Sequence, residues 1–242
     1  MYTSNLGFII SAQAEKEFLE QGCISKYLKE QCHSAIISLE KVTGKKFDPH
    51  VCSSQSPLLL SVSVESSHAE TPGLMKTCLN LGMNDEITSH LSFKSNNPEF
   101  SLDTYKNFLQ TYGAAVGGID VCVYDDFVEK EKKKYCFKDR EEINIKCLKD
   151  IINLFKKTYS VPENPWDQLY KVIEAAFNSW NSDSAIEYRN LNQIQNCSGI
   201  SICIQIMVHG TMNNMSGSGI VYNRNPSTGE NHLYGILMFK HI

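Results

Sequence analysis

The chain has 242 residues, 23 of them basic and 27 acidic, for a formal net charge of −4, with 42% hydrophobic and 21% charged residues. That composition excludes wholesale disorder, and the slightly acidic balance speaks against a nucleic-acid or anionic-membrane surface. No apolar run approaches the ~18 residues of a membrane span, and Met1 to Phe8 lack the basic and apolar regions of a signal peptide.

In chain order, Leu6 to Ser11 is a short β-like run. Ser11 then stands as the N-cap of a helix through Gln21, with Gly22 as its stop. Ile24, Leu28, Cys32, Ala35, Ile36, Leu39 and Val42 recur at helical spacing, which predicts an amphipathic helix over 24–43. The polar stretch 45–57 reads as a loop and Leu58 to Val64 as a largely buried strand. Residues 65–73 are turn-rich, and a short helix is expected over 74–82, a strand–loop–helix order common at ligand-facing sites.

The next block is mainly helical. Tyr105, Phe108, Leu109, Tyr112 and Val116 share one face, as do Leu148, Ile151, Ile152 and Phe155. The run Glu129 to Lys134 between them reads as a solvated helix face or linker. Pro162 and Pro165 mark a boundary, after which Leu169, Val172, Ile173, Ala176, Phe177 and Trp180 define the strongest helix of the chain. Gly199 to Val208 alternates as a half-buried strand should. Short strands at 219–223 and 233–239 follow a Gly/Ser turn at 216–219 and enclose the turn Asn225 to Gly229.

Few residues by themselves insist on chemistry. Nine scattered cysteines include no Cys-x-x-Cys pair, which points to reduced thiols in a cytoplasmic protein and away from zinc-ribbon or thioredoxin chemistry. The seven histidines show no metal-ligand spacing and read as surface or packing residues. No Gly-x-x-x-x-Gly-Lys-Ser/Thr occurs, and Gly217-x-Gly219 reads as a hairpin turn rather than a dinucleotide fingerprint. Ser66 and Ser67 beside His68 do not make a nucleophile–base pair, since such pairs are seldom sequence neighbours.

Four stretches carry a resemblance. Pro72-Gly73-Leu74-Met75, then Thr77-x-Leu79-Asn80-Leu81-Gly82-x-Asn84-Asp85, is similar to "PGMMDTVLNLGLND". Asp167-Gln168-Leu169 through Phe177-x-Ser179-Trp180, then Ala185-Ile186-x-Tyr188-Arg189, is similar to "DQL…AVF.SW…RAI.YR". Gln205-x-Met207-Val208-x-Gly210 resembles "VQTMVFGN". Ser216 to Gly219, Arg224 to Glu230 and Tyr234-Gly235 resemble "SGTGV.FTRNPSTGE..YGE". All four belong to the N-terminal nucleotide-binding domain of the pyruvate, phosphate dikinase family, in family order from about residue 6 to residue 235.

The resemblance implies an α+β, ATP-grasp-like fold, incomplete here. Residues 1–83 and 165–210 would form the first lobe, 84–164 a mainly helical insert, and 211–242 the start of a second lobe. It implies ATP and Mg²⁺ as cofactors. The whole family enzyme transfers phosphate from ATP to a histidine on a separate domain, on the way to phosphoenolpyruvate. Gln205, Met207 and Val208 match the strand and hinge beside the adenine. Pro72, Gly73 and Thr77 would lie near the phosphates, and Arg224 and Glu230 would line the second lobe.

Departures bear on activity. The family strand reads "LLVSVRSGA" with a phosphate-binding arginine, but Ser63 or Val64 stands at that position and Glu65 adds a charge expected to repel a triphosphate. Lys76 replaces the aspartate of "PGMMDT", and Ser184 replaces an arginine. The family's ATP-binding lysine, its metal-holding carboxylates and its phosphohistidine and pyruvate domains are expected to lie outside these 242 residues. Two readings follow. One is a dikinase-type ATP-binding domain, present as a fragment or as one part of a split enzyme whose other chain carries the missing domains. The other is a catalytically inactive remnant that serves as a weak nucleotide-binding or protein-interaction module. The apolar run Ile236 to Phe239 is expected to be a pairing or aggregation edge.

Overall fold

The computed structural model describes residues 6–47, 55–66, 72–136, 143–194, 199–213 and 215–239. It opens with β1 (Gly7–Ile10), α1 (Ala12–Gln21) and α2 (Lys26–Thr43). Glycines in the left-handed conformation close both helices, at Gly22 (φ 70°) and Gly44 (φ 68°). Ser11 sits at the N-cap of α1 with no side-chain cap bond, whereas Ser25 accepts from the Leu28 N–H at the start of α2.

Two strands follow, β2 (Leu60–Ser66) and β3 (Cys78–Leu81), then the helices α3 (Asp85–Ser95), α4 (Pro98–Gly117), α5 (Val121–Lys134) and α6 (Ile145–Thr158). The short helix expected over 74–82 is instead β3, paired antiparallel to β2 with a register shift between Leu60 and Val62. Apolar residues at 74, 75, 78 and 79 mimic helical spacing, but tertiary pairing overrides it. The strand joins β2 on one side, and on the other the Leu79 N–H donates to Thr111 Oγ1 of α4 at 3.1 Å. The run Glu129–Lys134 is the last turn and a half of α5, held by Lys132–Glu129 and Lys134–Glu131 ion pairs at 3.1 and 2.9 Å.

After α7 (Pro165–Ser179) and α8 (Asp183–Leu191) the chain returns as β4 (Ile200–Ile206) and ends in a hairpin of β5 (Gly217–Tyr222) and β6 (Tyr234–Phe239). The main sheet has the order β1-β4-β2-β3, and all its neighbours are antiparallel. Alternation in β4 explains the core: Ile200, Ile202 and Ile204 are completely buried, with α1 and α7 packed on the sheet. Gln168 ties the layers together. Its side chain accepts from the Gly82 N–H at 3.0 Å and donates to the carbonyls of Met83 (3.0 Å) and Pro162 (2.7 Å).

The expected Gly/Ser turn at 216–219 is mostly strand. Gly217 pairs with Phe239 and Gly219 with Leu237, and a Cβ on Gly219 would stand 2.5 Å from the Ile236 carbonyl oxygen. Glycine there serves close strand approach, not reversal. The described cysteines are all free thiols. Among the described residues no helix is long and apolar enough to cross a membrane.

Candidate functional site

Opposite the buried isoleucines the main sheet has a second face, half-buried or exposed among the described residues. Antiparallel register places Ser61 beside Gln205, Ser63 beside Cys203 and Glu65 beside Ser201. Strand β1 adds Gly7 beside Gln205 and Ile9 beside Cys203. Because side chains alternate, these positions point away from the buried isoleucines. They are half-buried or exposed, with Ile9 at 69%. The Ser61 hydroxyl donates to the Gln205 carbonyl and the Ser63 hydroxyl to Glu65 Oε1, each at 3.5 Å. Parity also separates the two positions offered for the family arginine: Ser63 lies on the open face, while Val64 packs against the core.

One end of this face is the exit of β4. There the Ile206 N–H donates to the Leu6 carbonyl at 2.9 Å and the Met207 N–H to the Leu59 carbonyl at 2.8 Å. The Met207 N–H is therefore used inside the fold, and a ligand edge would have to meet the backbone from Val208 onward. Val208 is 71% exposed. The Met207 side chain helps line a cavity of about 150 Å³ with Lys45, Leu59, Leu91, Lys94 and His209. His209 meets the Phe100 ring edge-on at 5.2 Å, and burial, with Lys45 nearby, pushes its pKa down to about 4. A charged imidazole would be poorly solvated there. Sequence reading passed over this cluster: residues 45, 94 and 209 share no motif, and only the fold brings them together.

The opposite end is where β2 leads towards β3. The expected phosphate loop 65–73 falls partly outside the described residues, at 67–71. Pro72 and Thr77 are exposed. Gly73 has φ +83° and backs onto the start of α8, where Ser182 Oγ donates to its carbonyl at 3.1 Å. A Cβ there would sit 2.6 Å from that hydroxyl oxygen, so both conformation and space call for glycine. Lys76 and Gly73 line a groove of about 610 Å³ with Asp120, Ser179 and Ser182, whose walls come from α4, α7 and the 73–76 segment. Lys76 is among the groups that hold the Asp120 carboxyl below its usual range, after hydrogen bonds from Cys122.

Arg224 and Glu230 lie in the β5–β6 connection and serve its turn. Arg224 Nη1 donates to the Gly229 carbonyl at 3.1 Å, and the Asn225 N–H donates to the Glu230 carbonyl at 3.1 Å. Asn225 Oδ1 accepts from the Ser227 N–H at 2.8 Å, an Asx turn. The predicted residues thus fall in three places: Gln205, Met207 and Val208 at one end of the open face, Pro72, Gly73 and Thr77 beyond the other, and Arg224 and Glu230 on the hairpin. Among the described residues no three His, Cys, Asp or Glu side chains converge on a point able to hold a metal ion. No chemical step is assigned to Mg²⁺.

Comparison with known proteins fixes the lineage of this arrangement. The family model described as pyruvate phosphate dikinase, AMP/ATP-binding domain, matches residues 10–238. The chain belongs to that family. Pyruvate, phosphate dikinase, chloroplastic, of Mesembryanthemum crystallinum is 37% identical over 235 residues, covering 95% of this chain and 24% of the relative. Pyruvate, phosphate dikinase of Rickettsia bellii is 36% identical over 235 residues and that of Clostridium symbiosum 33% over 237, each covering 95% of this chain and 26% of the relative. The chain therefore spans about a quarter of the length of these curated relatives.

Proposed function

We propose that this chain is a nucleotide-cradling domain of ATP-grasp type. Residues 1–83 and 165–210 form its first lobe, 84–164 a helical insert, and 211–242 the first hairpin of a second lobe. Adenine lies at the end of the open face, against Gln205 and the Met207 side chain and next to the Val208 backbone. The ligand extends along the sheet towards Pro72, Gly73 and Thr77, with Arg224 and Glu230 on the facing hairpin. The observation that carries this reading is the half-buried to exposed face of β1, β4 and β2, which ends at the motif Gln205-x-Met207-Val208 inside a family match spanning 10–238. Such a shelf offers backbone and hydroxyl groups to a ligand while the sheet itself stays rigid.

The function is binding. Phosphoryl transfer depends on positioned cations around the transferring group, and the open face presents serines and a glutamate instead. Transfer to a histidine on the way to phosphoenolpyruvate, as the family resemblance implies for whole enzymes, would involve the family's phosphohistidine domain. The test is amide chemical-shift mapping of the chain titrated with AMP. Shifts concentrated in 61–66 and 201–210 are expected, and their absence at millimolar ligand overturns the reading. One observation favours a second reading, a non-catalytic interaction module: every residue of β5 and β6 is exposed. Sedimentation velocity separates the two, since that reading requires association through the hairpin without any nucleotide response.

A further inference from the structure

We propose that Asn97 is a positioning residue that fixes the terminal hairpin against the main body. Its carboxamide is split between a helix cap and the connector that carries the hairpin. That role is independent of whether the hairpin faces a nucleotide or another protein. Asn97 Oδ1 accepts from the Phe100 N–H at 3.0 Å and so caps α4, with Pro98 following in the first turn. Asn97 Nδ2 donates to the Met212 carbonyl at 3.1 Å, 115 positions along the chain. Ser95 steadies the residue: its Oγ accepts from the Asn97 N–H at 3.3 Å while donating to the Leu91 carbonyl at 2.7 Å.

The connector runs from the end of β4 to the start of β5. It leaves the sheet where the Met207 N–H meets the Leu59 carbonyl. His209, two residues on, packs edge-on against Phe100, the residue whose N–H Asn97 caps. Met212 then takes the Asn97 amide, so two successive anchors join the connector to the first turn of α4. On its other side the connector lies on the root of β5. A Cβ on Gly210 would stand 2.1 Å from Ser218 Oγ and 3.0 Å from the Gly217 carbonyl oxygen. Beyond Met212 the chain closes on itself, with the Ser216 N–H donating to the Asn213 carbonyl and the Met215 N–H to Asn213 Oδ1, each at 2.9 Å. Every residue of β5 and β6 is exposed, so the orientation of the ribbon follows that of its connector. What holds 209–212 on α4 therefore sets where the hairpin points.

The experiment compares the full 242-residue chain with Asn97→Asp and Asn97→Ser. Both keep an oxygen able to cap α4, but the carboxylate has no proton to donate and the serine hydroxyl ends one bond shorter. The serine variant also separates loss of the amide from the effect of a new charge beside the cavity that Lys45, Lys94 and His209 line. Residual dipolar couplings of the β5 and β6 amides should fit the alignment of the main sheet in the unsubstituted chain and be scaled down in both variants. Hydrogen exchange at 209–216 should rise about five- to tenfold, the worth of one hydrogen bond, while first-turn amides of α4 change less than about twofold. A residue that only capped α4 would move neither the couplings nor the connector in these variants. Couplings already scaled down in the unsubstituted chain, or left unmoved by both substitutions, overturn the positioning role. So does loosening of α4 as large as that of the connector, or loss of the fold in both variants, either of which would make Asn97 a structural cap.

Discussion

The main sheet and the terminal hairpin are built from similar sequence and have opposite fates. Strand β4 reads Ile-Ser-Ile-Cys-Ile-Gln-Ile and buries three isoleucines completely; β6 reads Tyr-Gly-Ile-Leu-Met-Phe and buries none. The difference lies in what stands opposite. Strand β4 has strand partners on both edges and α1 and α7 packed against it, whereas among the described residues β6 pairs only with β5. Apolar pattern gives a strand its capacity for burial, and the elements packed against it decide whether that capacity is used. An isolated two-stranded ribbon is marginal in water, so stability here should reside in the first region.

Aromatic truncation breaks or confirms that contrast most sharply. Phe177 is fully buried and its ring centroid lies 5.2 Å from that of Phe18, while Phe239 is 53% exposed. Phe177→Ala should lower unfolding free energy by about 3–5 kcal/mol and Phe239→Ala by under about 1 kcal/mol, read from urea titrations. Equal costs would mean that the hairpin is folded into the core. Gln168→Ala comes next. It strands the Gly82 N–H and two carbonyls in the interior, and about 2–4 kcal/mol should be lost with little change in the m-value.

Much of the first region was legible beforehand. Helices α2 and α7 announce themselves by 3.6-residue periodicity, and the structure adds side-chain caps at Ser25 and Asn164. Strand β3 was not legible, because its four residues are specified by pairing with β2 and by Thr111, thirty-two positions away. The glycines at 217 and 219 look like a turn until their cross-strand neighbours are known. For the candidate site, simple alternation places Ser63 and Glu65 on one face and Val64 on the other. Commitment of the Met207 N–H to Leu59 is invisible in sequence, since it depends on how β4 leaves the sheet. The Lys45–Lys94–His209 cavity is equally hidden, because three distant segments build it.

His209 sharpens the comparison at the junction of the two regions. Burial holds its folded pKa at about 4, below the ordinary imidazole value of 6.5. Below pH 6.5 the unfolded chain therefore takes up a proton that the folded chain refuses. The contribution to stability is whole above pH 6.5 and is lost as pH falls towards 4. At 1.36 kcal/mol per unit, and discounted for partial exposure, this amounts to about 2 kcal/mol. The difference in unfolding free energy between the parent and His209→Gln, followed from pH 7 to pH 4, should change by that amount. A constant difference would show that the connector 207–212 does not hold His209 out of water.

The smallest effect on stability carries the most information about the hairpin. On one face of the ribbon Ile220, Tyr222, Tyr234, Ile236 and Met238 fall together by register, and Ile236 and Met238 are 65% and 66% exposed. Contiguous apolar surface of this kind drives association when nothing covers it, and free strand edges add backbone donors and acceptors to the same end. The double substitution Ile236→Lys, Met238→Lys should leave the unfolding free energy within about 0.5 kcal/mol, since neither side chain is buried in the chain. Any concentration-dependent association seen by sedimentation should decrease with it, because two ammonium groups per copy would have to be desolvated against each other. A large loss of stability would show instead that β6 packs within its own chain, and the division between a stable sheet and an uncommitted hairpin would fall.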